Sequence, residues 1–131
     1  MNHIFTVAAS LATIGCVTHL QHTRGQISVV LEQGMFDSYA KVLIRGVVSY
    51  LGIFHLLSTL MLWACALTIL SKMQAYSLVS FIALNYLLFA VWQCYGLVTS
   101  GIQAVGRRQW HWLLYFAIAI TSQLGLYFAV G

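Results

Sequence analysis

The sequence predicts an all-α integral membrane protein: an up-and-down bundle of four transmembrane helices, with a short amphipathic surface helix between the first and second spans. Three observations carry this. Of 131 residues, 61% are hydrophobic and 6% charged, where soluble domains average roughly 45–50% and about 25%. The charged side chains, Arg24, Glu32, Asp37, Lys41, Arg45, Lys72, Arg107 and Arg108, leave uncharged intervals at 1–23, 46–71, 73–106 and 109–131. Each interval reaches or exceeds the about 20 residues that a bilayer crossing needs. Such crossings use most of the chain, so 1–131 reads as a single membrane domain with no folded aqueous part.

The first span is expected at 4–22. Its start, Met1-Asn2-His3, carries no Lys or Arg, so it reads as a retained span rather than a secretion signal. Ala8, Ala12, Gly15, His19 and His22 share one face of it, and such small residues let another helix approach closely. In the following loop, 23–45, Ile27, Val30, Leu31, Met35, Tyr39 and Val42 recur at spacings of three and four. That pattern predicts the surface helix, with an irregular loop under the bundle as its alternative.

The second span is expected at 46–70 and the third at 74–98, joined by a tight connection over Ser71 to Met73 that pairs them as an antiparallel hairpin. The fourth falls at 110–130, with Trp110, Trp112, Tyr115 and Tyr127 placed as interfacial rings. The loops at 23–45 and 99–109 hold most of the Lys and Arg, so the positive-inside rule puts them in the cytoplasm and both termini outside. The simplest location is a bacterial inner membrane. Six basic residues are too few for a phosphate-tracking groove, which excludes a nucleic-acid partner. The expected partners are the lipid bilayer and other membrane subunits or further copies of the chain. Cys16, Cys65 and Cys94 lie in separate spans without a C-x-x-C pair and read as buried apolar thiols.

Polar side chains inside hydrocarbon are expensive and mark either packing contacts or a site. Arg45, Ser49, Gly52, His55, Thr59 and Ala66 form a stripe on span two. With His19, His22 and Arg24 closing span one, they make His19, His22, Arg24, Arg45 and His55 the candidate ligand- or cofactor-binding cluster, and His111 enters span four at the same level. Bis-histidine haem ligation needs imidazoles at one depth on facing helices. His19 and His55 are the natural pair, although their expected depths differ by roughly 10 Å at ~1.5 Å per residue, unless span one runs on past His22. A metal held by His19 and His22 with His55 or His111, or a quinone or lipid headgroup gripped by Arg24 and Arg45, are the other forms of this reading.

Thr59, Asn85, Gln93, Ser122 and Gln123 are the expected intramembrane polar contacts, with Asn85 and Gln123 near mid-depth as a hydrogen-bonded pair. The run His19 to Gly25 followed by Arg45 and His55 resembles a loose pattern in small four-span bacterial inner-membrane proteins, a resemblance that implies no activity. No Ser-His-acid arrangement, H-E-x-x-H or glycine-rich phosphate loop is present, so catalysis is not expected. The leading functional expectation is a non-catalytic accessory or structural subunit of a larger membrane complex or homo-oligomer. A haem-, metal- or quinone-binding protein is the alternative, and a small channel or carrier the second.

Overall fold

The computed structural model describes residues 3–100 and 110–130, and every long element in it is helical. Helix α1 covers His3–His22 and continues without a break through a π-helical turn, Thr23–Ile27, into α2, Ser28–Gln33. His3–Gln33 is therefore one helical rod. Nothing between Thr23 and Gln33 forces the chain out of a helix: there is no proline, and the hydroxyls of Thr23 and Ser28 donate to the carbonyls of His19 and Arg24 one turn back.

The rod stops at Gly34, whose backbone turns extended while its N–H bonds the Val30 carbonyl at 2.8 Å. A Cβ at Gly34 would sit 2.5 Å from the Phe36 ring and 2.8 Å from the Val30 oxygen, so the corner requires glycine. Asp37 then caps α3, Ser38–Ala66, by accepting from the Ala40 N–H at 2.6 Å, as expected for a helix start.

This corrects the expected loop at 23–45. Only 34–37 is non-helical, and no separate surface helix exists. The apolar stripe that suggested one is divided between two rods: Leu31 is buried on α2, whereas Val30, Met35, Tyr39 and Val42 are exposed. Periodicity was preserved across the corner because both flanking segments are helical, so spacing alone did not locate the break.

Helix α3 ends at Ala66, and a link over 67–71 follows in which Thr68 has φ 58°. Ser71 and Gln74 form a capping box at the start of α4, Lys72–Ser100. Helix α5 covers His111–Val130. Arg107 and Arg108, used in the charge-bias reading, lie outside the described residues.

Helix α1 packs against both α3 and α5, and α4 packs against α5. The expected hairpin partners α3 and α4 touch much less, chiefly through the rings of Phe54, His55, Tyr86 and Phe89. The small face of α1 is what draws the bundle together: Ala8, Ala9 and Ala12 are fully buried, and Gly15 lies beneath Ile118 and Leu114 of α5. At the far end Phe5 rests directly on Gly125.

The outer surface is apolar. Leu56, Leu57, Leu60, Leu84, Leu88, Val91 and Phe116 are all exposed. His3–Gln33, Ser38–Ala66 and Lys72–Thr99 are each long and apolar enough to cross a membrane.

Candidate functional site

The longer α1 rod decides where the histidines fall. Measured along the helices from the corner at 34–37, His19 lies ~21 Å and His55 ~26 Å away at the helical rise, about one turn apart. Their ring centroids are 5.0 Å apart, and the expected depth mismatch of roughly 10 Å shrinks to about one helical turn because the first helix does run past His22. The His19 ring lies against α3 beside Gly52, one turn before His55, where a Cβ would meet it at an ordinary 3.8 Å, and His19 Nε2 approaches the Val48 carbonyl at 3.4 Å.

His55 is completely buried and has both ring nitrogens occupied. Nδ1 is 3.0 Å from the Tyr86 hydroxyl on α4, and Nε2 is 3.2 Å from the Tyr115 hydroxyl on α5. A neutral imidazole has one N–H and one lone pair, so one tyrosine donates to the ring and the other accepts from it. The two bonds are coupled in polarity. The Tyr115 ring stacks on His55 with centroids 5.2 Å apart. Each group in this layer is thereby satisfied without charge, as burial demands.

Beside the layer is a cavity of about 90 Å³ lined by His19, His22, Gln93, His111 and Tyr115. Two of these rings, His22 and His111, lie against each other with centroids 5.7 Å apart. Gln93 Oε1 is buried and has no hydrogen-bond partner. At roughly 30 Å³ per water, the cavity has room for about three waters.

The expected cluster is thus partly assembled. His19, His22 and His55 come together, with His55 forming the wall behind the cavity. Arg24 and Arg45 do not line it and are exposed, because they sit on the outward faces of rods longer than the expected spans. No group of three His, Cys, Asp or Glu among the described residues is disposed to hold a metal ion. A haem between His19 and His55 does not fit rings 5.0 Å apart with His55 bonded on both nitrogens, and the cavity is too small for a quinone ring.

Of the remaining polar residues, Thr59 donates to the carbonyl of His55 within its own helix. Asn85 donates to Phe81 O, while Gln123 lines an outward groove, so the expected Asn85–Gln123 pair does not form. Ser122 is fully buried and its hydroxyl has no partner. Cys16 and Cys65 are buried as expected, but Cys94 is exposed.

Sequence reasoning missed Tyr86 as a site residue and placed Tyr115 at the water interface, whereas it is only 3% exposed. A signal was present: a tyrosine deep in an apolar span needs a partner for its hydroxyl, and a mid-span histidine needs two.

No protein family, curated protein or solved structure matches the chain. The functional reading therefore rests on the arrangement of these side chains.

Proposed function

We propose that the chain is a four-span integral membrane protein that binds a small polar ligand, without transforming it, in the His19–His22–Gln93–His111–Tyr115 cavity. In this reading α5 is the fourth crossing, the cavity end of the bundle faces the cytoplasm of a bacterial cell, and both chain ends face away from it. The observation that carries the reading is the convergence of these five polar side chains, from three helices, on one cavity of about 90 Å³ inside an otherwise apolar bundle, where polar groups mark either packing contacts or a site.

The cavity also favours binding over conduction. Beyond the Tyr86–His55–Tyr115 layer the interior is filled by Ala8, Ala12, Leu62, Ala66, Val79, Ile82 and Ile118, which supports a closed site over a through-path. Diethyl pyrocarbonate treatment of the protein in sealed vesicles, read by mass spectrometry, tests the site. His22 or His111 should be modified and His55 spared. Modification of none of the cavity histidines, or of His55 as fast as the others, would count against a pocket open at one end.

The accessory-subunit reading is kept as a second proposal because one observation favours it. An outward groove of about 290 Å³ between α4 and α5 is lined by Ala83, Leu84, Leu87, Ala119, Ile120, Gln123 and Leu124, and it places the Gln123 amide among apolar groups. Native mass spectrometry after gentle extraction from the source membrane tests this: a defined partner lost on Gln123→Leu supports it, and a partner-free monomer argues against it.

A further inference from the structure

We infer that the groove between α4 and α5 docks a second copy of this chain, the two copies related by a two-fold axis and joined through their Gln123 amides. This rests on the second reading above, a subunit that associates through the groove, and names its partner.

Depth makes Gln123 informative. Helix α4 is long and apolar enough to cross a membrane over Lys72–Thr99. Leu84 and Leu87, which line the groove, lie about 18 and 23 Å from one end of that crossing and about 23 and 18 Å from the other at the helical rise. Gln123 lines the same groove, so it stands at the same level, near the bilayer centre. Its side chain is exposed and makes no hydrogen bond among the described residues. A polar group at that depth is expensive unless it is paired, and acyl chains offer an amide neither donor nor acceptor. Lipid alone therefore leaves Gln123 unsatisfied, and a second protein surface does not.

The face is complementary to itself in shape and in hydrogen bonding. Ala83 and Ala119 are buried at its floor, whereas Leu84, Leu87, Ile120 and Leu124 are exposed along its sides. Small residues let a helix of another chain approach closely, and the sides of one copy supply the bulk that the floor of the other lacks. That is the condition for an isologous contact, in which one patch serves both partners. An amide carries both N–H donors and a carbonyl acceptor, so two facing Gln123 side chains exchange two hydrogen bonds and need no further polar group. No charged residue lines the groove among the described residues, so like faces do not repel. A partner of different sequence would have to bring its own donor and acceptor to the same depth.

The test places the full chain, fluorescently labelled at its amino terminus, in liposomes over a range of protein-to-lipid ratios, with energy transfer and single-molecule photobleaching counting the copies. Wild type should form pairs and no larger assemblies, and Gln123→Leu should weaken pairing at least threefold, as loss of an interhelical amide bond requires. Leu84→Trp, which adds bulk at an exposed position on the groove's side, should weaken it as well and guards against a folding defect in the first variant. In a Cys94→Ser background, mild oxidation should link Gln123→Cys chains to each other and leave Val7→Cys chains single, since Val7 is exposed on α1 outside the groove.

Pairs that form equally well in Gln123→Leu and Leu84→Trp would put self-association on another face and overturn the inference. Single copies at every ratio would overturn it too, and native mass spectrometry of protein from the source membrane then separates two cases. A different partner, lost on Gln123→Leu, would leave the subunit reading standing without the second copy. No partner at all would remove both.

Discussion

The Tyr86 and Tyr115 hydroxyls approach opposite nitrogens of the buried His55 ring, at 3.0 and 3.2 Å, so three helices are tied by one imidazole. Such a layer has a definite energetic signature. Tyr86→Phe or Tyr115→Phe leaves one ring nitrogen buried and unpaired, at a cost of about 1–2 kcal/mol. Replacing all three with phenylalanine removes the unpaired groups together and should cost less than the sum of the single changes. Denaturant titration of the purified protein in detergent reads both quantities, and strictly additive losses would show that the bonds are not coupled.

Much of this architecture was legible in the sequence, and the parts that were not have identifiable causes. The charge-free intervals located the apolar helices because a bilayer imposes a minimum length on any crossing. The small face of α1 was readable because Ala8, Ala12 and Gly15 repeat at helical spacing. The corner at 34–37 was not, since Gly25 and Gly34 are both glycines in a polar segment and only the second closes against Phe36. Misplacing that corner separated His19 from His55 in depth, and brought Arg24 and Arg45 into a site from which they are absent. Tyr115 was misassigned because an aromatic five residues from Trp110 fits an interfacial belt as well as it fits a buried partner.

The glycines give a direct contrast between two packing positions. A Cβ at Gly125 would lie 2.6 Å from the Phe5 ring, whereas one at Gly15 would lie 3.5 Å from Ile118. Gly125→Ala should therefore destabilise the bundle by about 1–3 kcal/mol through overpacking, and Gly15→Ala should be close to neutral. Relief of the Gly125→Ala defect by Phe5→Leu would identify the clash as its cause. If Phe5→Leu left the defect unchanged, the close approach would not explain it.

Asn85 and Gln123 provide a test of a contact that does not form. Asn85 satisfies itself on the Phe81 carbonyl, and Gln123 lies in the outward groove. A double-mutant cycle with Asn85→Leu and Gln123→Leu should return a coupling near zero, against the roughly 0.6–2 kcal/mol that an interhelical amide bond supplies. A coupling in that range would mean that the two side chains meet.

Thr68 holds φ 58° in the link between α3 and α4, a region that β-branched residues rarely adopt. Its hydroxyl bonds only the adjacent Leu67 carbonyl in an exposed position, so little is lost by replacing it. Thr68→Asn, which tolerates this conformation better, should stabilise the protein by up to about 1 kcal/mol. A thermal melt showing destabilisation would mean that the hydroxyl contributes more than the backbone strain costs.

The cysteines report burial without any engineered probe. Cys16 and Cys65 are buried on the inward faces of α1 and α3, while Cys94 is exposed on α4 one residue beyond Gln93. A thiol reacts as its thiolate and only where reagent can reach it, so in mild detergent a small maleimide should label Cys94 first, with Cys16 and Cys65 following only on unfolding in dodecyl sulfate. Because Cys94 and Gln93 are neighbours on one helix, fast labelling at Cys94 also fixes the rotation of α4 that turns Gln93 inward. Protection of Cys94 alongside rapid labelling of Cys16 would require α4 to be rotated, and would move Gln93 out of the cavity.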